Sequence, residues 1–417
     1  MPRYLRPRRG GAAILAAAAL LALAACAGGD YPNSTFLPTT EHNRAVTHLW
    51  DTMMFWGTVV FVVVEAILVY TIVKYRRRPG GPEPRHVHGN TVMEITWTLA
   101  PALILALIAV PTVRTIFQTQ AKAPANALQV EVIGHQWWWE FRYPEYGVVT
   151  ANELYLPHGR PVNFALRTAD VLHSFWIPAL AGKRDLISNR TNHLWFTPDS
   201  TGEAAFNGSC NEYCGASHAN MKFRVFTVAP ANFEVWARHQ AANAVFPPPP
   251  PDTAAPLVRP AADVADSTPA APAPAAGWVF PGDKVPPHVV PQTPIPAGLA
   301  IPEVVIAAGD AQRGFTTYSR SACIGCHKIR GNPSSLGLLG PDLTHVGSRY
   351  TIAGGLFPND PRHLAHWIKN ARAMKPGSLM QTLGKGERDP IMNMTVQAGG
   401  LTDAEIADIT AYLRSLK

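Results

Sequence analysis

Apolar residues near the N-terminus fall into three blocks, each bounded by charge. Ala12 to Ala25 follows Arg3, Arg6, Arg8 and Arg9, the order of an export leader, so residues 1–25 are set aside from the fold. Leu49 to Tyr75 and Ile95 to Phe117 are each long enough to cross a ~30 Å hydrocarbon core as a helix. Between them stands Lys74-Tyr75-Arg76-Arg77-Arg78 with Arg85, a basic cluster that belongs on the cytoplasmic side. Residues 40–120 therefore predict a transmembrane helical hairpin with both ends on the outer side.

Beyond the hairpin the period changes. Leu128-Gln129-Val130-Glu131-Val132, Val162-Asn163-Phe164-Ala165-Leu166, Leu194-Trp195-Phe196 and Phe223-Arg224-Val225-Phe226-Thr227-Val228 are short apolar runs separated by turn residues. Such spacing predicts an all-β sandwich or barrel over 126–240. Pro247 to Pro251 then opens a Pro- and Ala-rich stretch running to about Pro302. It reads as an extended linker over 246–300, rising up to ~3.1 Å per residue where polyproline II forms. Helical pattern returns in 302–417, where Gly309-Asp310-Ala311 opens one helix and Leu401-Thr402-Asp403-Ala404-Glu405 leads into the last.

Net charge is +7 over 417 residues, much of it in the leader and the hairpin loop. It therefore says little about nucleic acid, for which no binding motif is present and no partnership is expected. The five cysteines say more, because each has a separate chemical job. Cys26 ends Leu23-Ala24-Ala25-Cys26, which resembles a bacterial lipoprotein box with Cys26 as the lipidated residue; an ordinary signal or a first span is the alternative. Cys323 and Cys326 lie in Cys323-Ile324-Gly325-Cys326-His327, the attachment signature of a c-type haem, with His327 as the iron ligand. Alone, that pentapeptide could also be a redox dithiol or half a zinc site. Cys210 and Cys214 open a Cys-x3-Cys-x3-His-x2-Met run through His218 and Met221. Thiolate, thioether and imidazole together select copper, whereas structural zinc favours closer cysteine pairs and rarely recruits Met.

This run resembles the binuclear CuA site of cytochrome c oxidase subunit II, whose C-x-E-x-C-x3-H-x2-M pattern it matches throughout. The resemblance supplies a further ligand, His173 in Val171-Leu172-His173-Ser174. It implies that Cys210 and Cys214 bridge two coppers, that His173 and His218 cap one each, that Met221 is the weak ligand and that Glu212 gives its backbone carbonyl. It further implies a cupredoxin fold for 126–240, with a magnesium ion at the subunit I interface through Glu212. Trp137, in Gly134-His135-Gln136-Trp137-Trp138-Trp139, matches the residue that receives electrons from cytochrome c, with aromatic packing as the alternative. Asp170 matches an acidic residue used in cytochrome docking. Glu94, in Met93-Glu94-Ile95-Thr96-Trp97-Thr98, matches the Glu at the mouth of a proton pathway into subunit I; otherwise it is an interfacial carboxylate. Ile187-Ser188-Asn189 departs from the family's Ile-Pro-Gly.

Residues 302–417 resemble a class I cytochrome c, making that domain all-α. Met380, in Lys375-Pro376-Gly377-Ser378-Leu379-Met380, matches the loop that presents the distal iron ligand. Met394 is the rival because it stands closer to the last helix. Met374 and Met392 read as packing residues.

The combination implies the electron-receiving subunit of a proton-pumping bacterial cytochrome c oxidase. Electrons would come from a periplasmic cytochrome c or bc-type complex, through haem c and CuA, to an oxygen-reducing subunit I, with subunit III as a further partner. The chain would sit in the inner membrane with both cofactor domains on the periplasmic side, and two spans without a histidine cluster cannot build the oxygen-reducing centre. A CuA subunit of a nitric oxide reductase and a free membrane-anchored electron carrier are the alternatives. A quinol oxidase subunit would lack the copper ligands.

Overall fold

The computed structural model describes residue 17, residues 33–245 without 37, 78, 82, 84, 85, 87, 200 and 201, and residues 278–417. Cys26 lies outside the described residues, as does most of the proline-rich stretch.

Two long helices come first, α1 (Glu41–Tyr75) and α2 (Thr91–Thr119). Both apolar windows are bare of protein cover, as helices facing lipid are. Capping starts each helix, because the first backbone N–H groups have no intrahelical partner. Thr40 accepts from Asn43 N, and Asn90 accepts from Val92 N and Met93 N. The start of α1 is also tied to the β domain. Thr40 donates to Leu180 O, Asn43 donates to Pro178 O at 2.8 Å, and the Glu41 carboxylate accepts from Thr197 N at 3.0 Å. These bonds put the beginning of α1 and the β domain on one side of the spans.

The β domain is a sandwich of two five-stranded sheets. Its strands are β1 (Leu128–His135), β2 (Trp138–Tyr143), β3 (Val148–Ala151), β4 (Glu153–Pro157), β5 (Val162–Thr168), β6 (His173–Trp176), β7 (Arg184–Leu186), β8 (Asn192–Phe196), β9 (Ala204–Cys210) and β10 (Lys222–Val228). One sheet runs β3-β2-β1-β5-β8 and the other β4-β10-β9-β6-β7. Alternation along β1 and β5 sends Val130, Val132, Phe164 and Leu166 inward. There Trp139, Phe175 and Phe223 fill the space between the sheets, with Phe175 and Phe223 stacked 4.9 Å apart. Helix α3 (Pro230–Ala241) closes one edge by burying Phe233 and Trp236.

The C-terminal domain is helical. It contains α4 (Glu303–Ala307), α5 (Ala311–Tyr318), α6 (Cys323–Cys326), α7 (Pro361–Lys369), α8 (Ala371–Met374) and α9 (Asp403–Ser415). A capping box between Thr402 and Glu405 starts α9, and Ile406, Ile409, Tyr412 and Leu413 bury its inner face. Two short ribbons interrupt the helices, β11 (Thr351–Ile352) with β12 (Phe357–Pro358), and β13 (Arg388–Asp389) with β14 (Met394–Thr395).

The expected linker over 246–300 needs correction at its far end. Phe280 and Val289 are fully buried in the core of the β domain, and Arg224 donates to Val289 O. Proline breaks helices and strands but leaves apolar side chains free to pack, so residues 278–300 form a strap across the sandwich instead of a free spacer. The helical domain in turn sits directly on the β domain. Buried Glu153 accepts from Tyr350 N at 2.6 Å and Thr351 N at 3.0 Å, and Lys222 N donates to Gly354 O at 2.9 Å.

Candidate metal centres

Two adjacent strands and one loop build the first centre. Cys210 ends β9, and β6 pairs with it in antiparallel register, Phe175 opposite Cys210, which brings His173 alongside. The chain after Cys210 folds back within ten residues. His218 N donates to Gly215 O, Met221 N to His218 O, and Cys210 N to Met221 O. All four of Cys210, Cys214, His173 and Met221 are buried.

The donor atoms converge. Cys210 Sγ lies 3.7 Å from Cys214 Sγ and 3.8 Å from His173 Nδ1. Cys214 Sγ lies 3.6 Å from His218 Nδ1 and 3.8 Å from Met221 Sδ. The Glu212 carbonyl oxygen stands 3.3 Å from Cys210 Sγ. A disulfide requires about 2.05 Å between sulfurs, so these are free thiols. Donors bound to one ion at about 2.0–2.3 Å stand about 3.3–3.8 Å from one another at tetrahedral angles, and the observed separations fall in that range. His173, Cys210 and Cys214 form one mutually close group, and His218 flanks the second sulfur.

The two thiols titrate against each other. The hydrogen bond with Cys214 draws Cys210 far below the ordinary thiol value, and His173 adds to this against the effect of burial; Cys214 is pushed up by its neighbour. One thiolate is thus favoured before any cation arrives. Burial pushes the His173 imidazole down, but hydrogen bonds to Asp170 and Cys210 outweigh it and its pKa is raised.

Behind the donors stands a set of positioning groups. Asp170 Oδ1 lies 2.8 Å from His173 Nε2, and the same carboxylate accepts from Gln136 N and Val171 N at 2.7 Å each. Trp137 Nε1 donates to Cys214 O at 2.9 Å, and Gln136 Nε2 donates to it at 2.8 Å. Sequence reasoning missed Gln136, because a glutamine beside a tryptophan carries no spacing that marks it as a support. Glu94 lies in the first turn of α2, exposed and outside this centre.

The second centre rests on α6, which sets Cys323 and Cys326 on one helical turn with His327 as its C-cap. His327 Nδ1 stands 2.9 Å from Pro341 O, which places the proton on Nδ1 and leaves Nε2 free to bind a metal. Burial pushes the His327 pKa down, favouring the neutral ring. A Cβ on Gly340 would come within 2.5 Å of that imidazole, so only glycine fits beneath it. Leu338, Leu339 and Leu379, neighbours in sequence of Gly340 and Met380, are largely exposed. Met380 is half-buried, Met394 lies exposed on β14, and Met374 packs into the helical core. Met392, expected to pack, is exposed.

Comparisons agree with this division of the chain. Residues 38–115 match the family profile described as cytochrome c oxidase subunit II, transmembrane domain; 148–228 match its periplasmic domain; and 311–417 match cytochrome c. The chain is similar to cytochrome c oxidase subunit 2 of Alkalihalophilus pseudofirmus, 31% identical over 86% of this chain and 83% of that one. It is also similar to cytochrome c oxidase subunit 2 of Bacillus sp. PS3, 30% identical over 82% and 80%. Among solved structures, the periplasmic domain of subunit II of cytochrome oxidase of Bradyrhizobium japonicum is 30% identical, covering 28% of this chain and 94% of that one with a TM-score of 0.26.

Proposed function

Because this chain belongs to the cytochrome c oxidase subunit II family, we propose that it is the subunit through which a proton-pumping haem–copper oxidase receives its electrons. The donor in this reading is a periplasmic cytochrome c or bc-type complex, and the acceptor is subunit I. The observation that carries the reading is the buried Cys210–Cys214 sulfur pair, 3.7 Å apart, with one imidazole beside each sulfur.

The residues fit the two groups. Cys210, Cys214, His173, His218, Met221 and the Glu212 carbonyl would hold a binuclear copper; Cys323, Cys326, His327 and Met380 would hold haem c. When bound, these groups supply two one-electron carriers within a single chain. The chain's own residues do the rest. Burial keeps water from the sulfurs, which strengthens every electrostatic interaction among the donors. Asp170 fixes the His173 ring, and Gln136 and Trp137 fix the Cys214 backbone, so that little has to move when charge arrives. Glu94 would face the proton pathway of subunit I, Glu212 would contribute to a magnesium site at that interface, and Cys26 would carry the lipid. The β and helical domains belong on the periplasmic side, consistent with the Lys74–Arg78 cluster between the spans.

Metal and haem analysis of the complex purified from membranes, together with oxygen uptake, tests this reading. Two coppers and one covalent haem per copy of this chain are expected, co-purifying with a large polytopic subunit. A chain that purifies alone, or without copper, would defeat it.

A further inference from the structure

Lys375 is almost fully buried, yet among the described residues no carboxylate lies within ion-pair distance of it. Its ammonium donates instead to two carbonyls, Trp137 O at 2.6 Å and Ala353 O at 2.9 Å. One acceptor belongs to the β domain and the other to the helical domain, so the side chain bridges the seam. Burial pulls its pKa down to about 7, partly offset by Cys214 nearby. Burying a cation is costly unless its hydrogen bonds are met, and an apolar residue would fill the same space without that cost. What the buried ammonium does do is tie the two domains together through both carbonyls.

What it holds is the 375–377 loop. Ser217 donates to Pro376 O, and Gly377 adopts φ +87° beside the Trp137 ring. A Cβ there would meet the ring at 3.1 Å and Ala216 Cβ at 3.0 Å. Trp137 in turn donates its indole N–H to Cys214 O. The loop that carries Met380 thus lies beside the ring whose indole is hydrogen-bonded to the backbone of Cys214.

We propose that Lys375 is a positioning residue that clamps the 375–377 loop onto Trp137 and so fixes the contact across which the two domains exchange electrons. The proposal rests on the reading of the two centres given above. Each transfer takes one electron from the cytochrome side and delivers one to the dithiolate side; Lys375 and Trp137 gain and lose no atoms. Transfer rates fall steeply with separation, so a clamp that removes slack acts on the rate without touching either centre's ligands. A protein donor from solution would, with the clamp closed, meet the helical domain and not Trp137.

The test compares Lys375→Met, Lys375→Arg and Gly377→Ala in the full oxidase complex. Electron exchange between the centres after flash reduction should slow severalfold in Lys375→Met as the contact across the seam loosens. Lys375→Arg keeps a cationic donor and should exchange electrons faster than Lys375→Met. Gly377→Ala should wedge the seam and slow the step as Lys375→Met does. Copper and haem spectra, and reduction of the copper centre by a small diffusible reductant, should be unchanged in all three. Hydrogen exchange of the amides from Gly134 to Trp139 should speed up in Lys375→Met and Gly377→Ala. A wild-type rate and wild-type protection in Lys375→Met, or an Arg variant no better than Met, would overturn the clamp. Absence of copper or haem from the wild-type complex would defeat the reading of the centres instead, and the exchange experiment alone would then decide the clamp.

Discussion

Asp170 Oδ1 stands 2.8 Å from His173 Nε2, on the opposite ring nitrogen from the one that faces Cys210 Sγ at 3.8 Å. An acidic residue matched to cytochrome docking thus also orients a donor within the chain. Outer partners of this kind raise ligand basicity and fix the tautomer. Asp170→Ala should leave all donors in place yet weaken copper binding by about 10- to 100-fold, as such removals do elsewhere. Competition against a copper chelator measures this; unchanged affinity would show that the carboxylate does not support the site.

Cys214→Ser should remove the bridge between the two halves of the donor set. The mixed-valence copper signal is expected to vanish and copper content to fall below two per chain, with electrons accumulating on the haem. A variant that retains two coppers and normal oxygen uptake would contradict the shared-sulfur arrangement.

Met380→Ala should lower the haem potential and remove the weak absorption band of an iron–sulfur bond, because thioether ligation stabilises the reduced iron. Survival of that band in Met380→Ala, with its loss in Met394→Ala, would transfer the role to the exposed methionine on β14.

Glu153, buried against Tyr350 N and Thr351 N, has its carboxyl pushed up to about 7, chiefly by burial. A raised acid pKa means that the docked state holds a proton the undocked state releases. Its stabilisation is therefore full below the ordinary carboxylate value and fades as pH rises through about 7. Glu153→Gln keeps the acceptor oxygen without the charge. The melting temperature of wild type should accordingly decline relative to Glu153→Gln between about pH 5 and pH 8, and parallel curves would refute the linkage.

Transfer between the two domains should be intramolecular. A tethered and docked partner does not depend on encounter, so the rate after flash reduction of the haem should be independent of enzyme concentration and only weakly dependent on salt. A rate proportional to enzyme concentration would mean that the helical domain serves a neighbouring complex.

The donor set was legible because most of it lies in one run. From Cys210 to Met221, spacing along the backbone restricts which side chains can meet, so residue types at fixed intervals report chemistry before any fold is known. The hairpin was legible for a similar reason, since the length of an apolar run is itself the physical requirement for crossing a bilayer. Attachment cysteines on a single helical turn, followed at once by His327, are equally local.

Other features depended on partners far away in sequence. Gln136 reaches Cys214 across 78 positions and Lys375 reaches Trp137 across 238, and no local period records such pairings. Residues 278–300 looked like spacer because proline excludes regular structure, but only the assembled sandwich offered Phe280 and Val289 a core to enter. The sequence by itself determined the elements, the spans and the ligand types, because these follow from period, length and short-range spacing. Tertiary structure alone decided which carboxylate supports a histidine, which lysine is buried and how the two domains meet, because those depend on burial and on hydrogen bonds formed only once distant segments are brought together.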